Sequence, residues 1–235
     1  MESRLMLIAL TCILTILTYQ SFVKLQAKLN KVWLNPMLLT ILFLILGLYN
    51  FQIDYEFYDN NTEPLNFLLE LSVVTLGFPL YQQLHAMKKQ WKVIVLLLIL
   101  ASLLAIISSF ALTWIIISQQ EIAISLSLKS ITTPIAIAIT EQLNGNIAVT
   151  AFTIIIAGLF GAIWGIKWLT LLGVNSANAQ GLAIGTASHA LGTATISQIS
   201  YQHAAYSSLA LILSASVTAI IGPVLIPIMI NLIGG

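Results

Sequence analysis

The sequence predicts an all-α polytopic membrane protein. Of its 235 residues, 59% are hydrophobic and only 7% are charged, a balance outside that of soluble globular domains. Its apolar residues gather in runs near the roughly 20 residues a helix needs to cross a bilayer. The lysines cluster between those runs, as they do where charge sets orientation. A net charge of +1 with no basic patch among aromatics points to no nucleic-acid partner.

About six full spans are expected. The first, Leu5–Val23, begins with no charged lead beyond Arg4 and lacks a small-residue cleavage site, so it reads as a retained helix rather than a signal peptide. Its Cys12 is the single cysteine, which excludes an internal disulfide and reads as a small apolar helix residue. Lys24, Lys28 and Lys31 follow. Asn35-Pro36 starts a second span, Met37–Asn50, with Pro36 suited to a first helical turn. A polar loop with Asp54, Glu56, Asp59 and Glu63 leads to a third span, Leu65–Leu84, which carries Glu70 and a break at Gly77-Phe78-Pro79. After His85, Lys88, Lys89 and Lys92 comes a fourth span, Val93–Ile117. Ile147–Ile166 and the last apolar stretch complete the set. The lysine clusters place residues 24–31 and 85–92 in the cytoplasm, with the N-terminus and the acidic loop outside. Trp33, Trp91, Trp114, Trp164 and Trp168 read as an aromatic belt.

Two small, hydroxyl-rich runs interrupt this pattern: Lys129-Ser130-Ile131-Thr132-Thr133-Pro134-Ile135-Ala136, and Gly185-Thr186-Ala187-Ser188-His189-Ala190-Leu191-Gly192-Thr193. Irregular backbone survives at membrane depth only when buried in protein or lining a wet cavity. Segments 121–143 and 177–200 therefore either cross as broken helices or enter and return as re-entrant hairpins. The hairpin reading is favoured, because it puts Lys167 in the cytoplasm. Thr150–Gly165 aligns with Ser207–Gly222 at an offset of 57 residues, each copy preceded by one hydroxyl-rich run. A unit of one hairpin and one span crosses an odd number of times, so its duplicate would be inverted, with a binding site at the repeat interface. Residues 1–118 are accordingly expected to form a four-span scaffold and oligomerisation half, and 119–235 a transport half, within one membrane domain.

The candidate chemistry lies in these runs. Lys129 is an ionisable group in apolar surroundings, as residues facing a wet cavity are; it would attract a substrate carboxylate. Thr132 and Thr133, with Ser130, supply hydroxyl donors. Pro134 starts a helix whose N–H groups would face the same anion. Thr186, Ser188, His189, Gly192 and Thr193 would contribute from the second run, with glycines allowing close backbone approach. His189 and Glu70 are candidates for proton coupling. Gly158, Gly161 and Gly165 read as helix-packing positions. No metal site is expected, since no second His or Cys stands at ligand spacing, and no cofactor is expected. An intramembrane hydrolase using Ser188 and His189 is disfavoured: adjacent turn residues rarely reach each other and no Asp orienter is evident. The chain is not expected to be an enzyme.

The two motifs, their separation and the intervening Ala157-Gly158-Leu159-Phe160-Gly161-Ala162 resemble those of the LrgB/CidB family of bacterial inner-membrane proteins. The resemblance covers roughly residues 36–232 and is strongest over 128–194; Pro79-Leu80-Tyr81-Gln82-Gln83 shares it. It implies a multi-pass protein of the bacterial cytoplasmic membrane in a holin/antiholin-like scheme that modulates murein hydrolases and autolysis. It also implies a small LrgA/CidA-like membrane partner. Plant relatives export glycolate and glycerate, and bacterial members are linked to pyruvate movement, so a secondary transporter of small monocarboxylates is implied. The alternative is a regulatory subunit with no transport of its own. A homo-oligomer, a dimer, is expected. The chain departs from the family where Glu70-Leu71 replaces Gly-Pro, where Thr195 replaces an Arg, where Gln198, Ser200 and Gln202 stand in place of acidic residues, and where Gly165-Ile166 replaces Gly-Pro.

Overall fold

The structure is a computed structural model that describes residues 2–29, 34–75, 78, 81–82, 85 and 88–233. Every regular element among them is helical. Four helices are long and apolar enough to cross a membrane: Arg4–Leu29, Trp91–Ile117, Ile147–Leu171 and Tyr201–Leu232. The chain divides into two compact units, Met1–Thr75 and Leu76–Gly235.

The first unit holds α1 (Glu2–Leu29), α2 (Pro36–Asn50), α3 (Tyr55–Asn61) and α4 (Glu63–Thr75). Asn35 starts α2: its Oδ1 accepts from the N–H of Met37 at 2.9 Å and of Leu38 at 3.3 Å, while Pro36 lacks the N–H that would otherwise go unpaired. At 15 residues, α2 is about 22 Å long, short of the roughly 30 Å hydrocarbon layer. The Thr11 hydroxyl donates to the Asn61 carbonyl at 2.8 Å and ties α1 to α3. The side chain of Glu70, Trp33, and the expected break at Gly77 and Pro79 lie outside the described residues.

The second unit holds α5 (Trp91–Ile117), α6 (Gln120–Ser127), α7 (Thr133–Gln142), α8 (Ile147–Leu171), α9 (Ala177–Ile196) and α10 (Tyr201–Ile233). Although α5 was expected with the N-terminal half, it packs on α6 and α10 inside this unit. Ser118 ends α5 in the left-handed region, φ 54°.

Helices α6 and α7 form one chain reversal. The Asn146 N–H donates to Ser125 Oγ at 2.9 Å, and the Thr140 and Thr150 hydroxyls lie 2.9 Å apart. A straight path from Ser125 to Asn146 would span about 30 Å at helical rise. The contact instead returns the end of α7 to the level of α6. Ser125 also serves the free backbone polar groups at this mouth, where an apolar side chain would leave them unpaired.

Helix α9 repeats the reversal. Gln202 Nε2 donates to Asn178 Oδ1 at 2.6 Å, and His203 Nε2–H donates to Gln180 Oε1 at 3.0 Å. The backbone leaves helical geometry only at Ser188 (φ −128°, ψ 17°) and His189 (φ 40°, ψ −138°). The whole run Gly185–Thr193 looks irregular from composition. Yet the helix persists on both sides of these two residues, because intrahelical hydrogen bonds satisfy backbone that apolar surroundings cannot.

Helix α10 orders the rest. A Cβ on Gly181 would meet Tyr206 Cβ at 2.8 Å, and one on Gly185 would meet Ala210 Cβ at 2.9 Å, so these glycines let α9 lie directly on the first turns of α10. Further along, Ser214 and Thr218 reach the α6–α7 break. Ala219 and Pro223 lie with Pro134, Ala138 and Gln142 of α7. The α9 reversal therefore opens toward the start of α10 and the α6–α7 reversal toward its end. His203 and Pro223 stand about 30 Å apart along the helix, the thickness of a hydrocarbon layer.

Candidate functional site

The first break and α9 meet in the interior of the second unit. A small cavity of about 10 Å³ lies between them, lined by Ser102 of α5, Ser127 and Ser130 of the first break, Thr186 of α9, and Ser214 and Thr218 of α10. Six of its lining residues carry hydroxyls, beside buried Ile106, Leu128 and Ile131. A groove of about 580 Å³ between α5 and α9 reaches Ser130 and Thr186 from the other side, past Leu97, Ala101, Ser108 and Ala183.

The first break is a turn over Leu128–Ile131. Half-buried Lys129 sends its ammonium to the hydroxyl of Ser109 on α5. Thr132 caps α7 through its backbone, its carbonyl accepting from the Ala136 N–H at 3.0 Å, and its side chain makes no cap bond. Thr133 and Pro134 form the first turn; Pro134 is exposed and lines a separate groove with Gln142 and Pro223.

The second break is held by the wall of α8. His189, 4% exposed, donates its Nε2–H to the Ile154 carbonyl at 2.8 Å. A positive φ is costly for a non-glycine residue, and this bond fixes the residue that adopts it. A Cβ on Gly158 would stand 2.7 Å from His189 Nε2, and one on Gly161 would overlap the Ser188 hydroxyl. The glycines of α8 thus give the break its seat. Helix α8 itself widens to a π-turn over Gly161–Gly165, a distortion frequent beside functional sites. Gly192 is required by close packing on Ser188 and Ile184, whose Cγ2 a Cβ would approach to 2.8 Å. Thr193 is fully buried and its Oγ1 has no partner. The imidazole of His189 is engaged with a backbone carbonyl, not with Ser188.

Of the residues singled out from sequence, the structure brings Ser130 and Thr186 to the cavity, sets Lys129 beside it on Ser109, and places Ser188, His189 and Gly192 against α8. Ser102, Ser109, Ser127, Ser214 and Thr218 escaped notice. Their sequence signal is weak, since a lone hydroxyl in a Leu- and Ile-rich helix forms the same helix whichever way it faces. His203 is buried between Ser200 Oγ at 2.8 Å and Gln180. Among the described residues no group of three His, Cys, Asp or Glu side chains could hold a metal ion.

Four long apolar helices, with two helix breaks in the second unit, define a multi-pass membrane protein. The chain belongs to the LrgB-like family, whose model matches residues 15–228. It is similar to an uncharacterized protein of Haemophilus influenzae, 36% identical over 217 residues, covering 92% of this chain and 94% of that one. It is also similar to the holin-like protein CidB of Staphylococcus epidermidis, at 34% identity over 92% of this chain and 95% of that protein. The uncharacterized protein YxaC of Bacillus subtilis is 32% identical, over 91% and 93% of the two chains. No solved structure matches. Family and helices together make this a multi-pass bacterial membrane protein.

Proposed function

We propose that the chain is a secondary transporter of small monocarboxylates such as pyruvate or glycolate, with effects on autolysis and envelope homeostasis. The observation that carries this reading is the convergence of two chain reversals, opening toward opposite ends of α10, on shared hydroxyls at Ser130 and Thr186. In this reading the reversals are re-entrant hairpins, added to six full spans and related as an inverted repeat. Each break precedes one copy of the sequence repeat, the first over Leu128–Ile131 and the second at Ser188–His189. Irregular backbone paired in this way is a common solution for a site reached from both faces of a membrane. Lys92 and Lys167 both fall toward the mouth of the α9 reversal, at the starting end of α5 and the finishing end of α8. This fits a cytoplasmic placement of that end.

A three-carbon acid would occupy the groove between α5 and α9, with Lys129 as the attracting charge and Ser130 as the hydrogen-bonding hydroxyl; Thr186, whose hydroxyl donates to the Leu182 carbonyl, would line the wall. Thr132 and Thr133 would shape the first break, and Ser188, His189, Gly192 and Thr193 the second, while Pro134 lines a separate groove. His189 and Glu70 remain the proton-coupling candidates. A small LrgA/CidA-like membrane protein is the expected partner, and a dimer the expected assembly.

A second reading is favoured by the relatives' printed names. A holin-like protein would act as a non-enzymatic regulator of murein hydrolase export or activity, without flux of its own. Uptake of radiolabelled pyruvate, glycolate and lactate into proteoliposomes separates the two. Saturable uptake by the chain alone supports the transporter. No flux from folded protein, alone or with the small partner co-reconstituted, supports the regulator.

A further inference from the structure

We propose that the turn before α5 and the first residues of that helix bind the headgroup of an anionic phospholipid. The first argument is charge. Lys88, Lys89 and Lys92 are closely spaced and all exposed. No acidic residue lies between Glu70 and Glu121 in the chain. The second unit holds only two carboxylate side chains, and both stand at the opposite mouth: Glu121 in the first turn of α6 and Glu141 in the last turn of α7. The end that carries the lysines is therefore positive, with no offset from its own unit. The first turn of α5 has no acidic residue and Gln90 makes no side-chain cap bond, so the positive end of the helix dipole adds to the same field.

The second argument is placement. Position 92 shares a face of α5 with Leu96 and Leu100, one and two turns further on, and both leucines are exposed. The other face is buried, where Ile94 and Leu98 pack with Ala205 and Tyr206 of α10. Trp91 and Val93 are exposed beside the lysines. An apolar outer surface topped by ammonium groups and an indole matches a phospholipid, whose phosphate lies at headgroup level and whose chains run below it. A soluble anion would meet the charges alone. Lys167 and Trp168 repeat the pairing at the finishing end of α8, and both are exposed. This end falls on the cytoplasmic side by its lysines, and juxtamembrane lysines on that side meet a leaflet that carries anionic lipid.

A headgroup bound here would tie α5 to the leaflet surface. The proposal rests on neither the transport nor the regulatory reading. The test is thermal unfolding of the full-length protein in neutral detergent micelles, with added phosphatidylglycerol, phosphatidylcholine or inorganic phosphate at constant ionic strength. A saturable rise in Tm with phosphatidylglycerol is expected, absent with the other two and shrinking as salt is raised. Lys88→Gln, Lys89→Gln and Lys92→Gln should each raise the half-saturating mole fraction of that lipid about fivefold, or about 1 kcal/mol per basic residue. Each is measured alone, so a variant that fails to fold leaves the others to decide. Lys24→Gln and Lys28→Gln, in the first unit, should leave the response unchanged. An equal rise with phosphatidylcholine reduces the contact to apolar packing and overturns the proposal. An equal rise with inorganic phosphate overturns it in favour of a soluble anion. A Tm indifferent to all three, an unchanged response in the folded lysine variants, or an equal loss in Lys24→Gln and Lys28→Gln also overturns it. The readout requires no flux, so failure here leaves the transport reading standing, and absence of uptake leaves lipid binding standing.

Discussion

His189 and Gly158 form one structural unit: the imidazole reaches the Ile154 carbonyl at 2.8 Å only because position 158 has no Cβ, which would stand 2.7 Å from Nε2. The break in α9 and the glycine in α8 are thus two halves of one contact. Gly158→Ala should destabilise the protein by about 1–3 kcal/mol through overpacking, and His189→Ala by a similar amount through the lost buried hydrogen bond. The double variant should lose less than the two single losses together, because removing the ring removes the clash. Unfolding in mixed detergent micelles checks this coupling.

Lys129→Met should lower pyruvate uptake by about tenfold or more while shifting unfolding free energy by less than about 1 kcal/mol. The variant removes the attracting charge and, with it, the cost of holding an ammonium in apolar surroundings, which offsets the lost contact with Ser109. A transporter with unchanged KM and kcat in Lys129→Met would remove this residue from the substrate path.

Gln180→Leu should cost about 1–3 kcal/mol, because it leaves the Nε2–H of buried His203 without its acceptor. Ser125→Ala should cost about 1 kcal/mol, by freeing the Asn146 N–H at the opposite mouth. Both losses are read by the same unfolding assay and should add, since the two clasps share no partner.

Much of this architecture was legible in the chain. Asn35-Pro36 announced the start of α2 through ordinary capping chemistry, and the paired polar runs located both breaks. The backbone at Ser188–His189 was legible only as a region, because glycine content marks where a helix can yield and not where it does. The cavity hydroxyls were hidden for a different reason. Ser102 and Thr218 sit in long apolar helices whose local sequence gives the same helix whether those positions face lipid or a polar centre. Only tertiary packing of α5, α9 and α10 distinguishes the two. The mouth clasps Ser125–Asn146 and Gln180–His203 likewise join residues about twenty positions apart, beyond any helical period.

The opposed openings of the two reversals carry the functional account, and sidedness of cysteine labelling tests them most directly. In a Cys12→Ser background, single cysteines at Glu121, Asn144, Asn178 and Gln202 would be labelled in intact cells with a membrane-impermeant maleimide, then in inverted vesicles. The account predicts that 121 and 144 react together from the outer face, and that 178 and 202 react together from the cytoplasmic face. Reaction of 121 and 144 from opposite faces would make the first segment a crossing helix and contradict it.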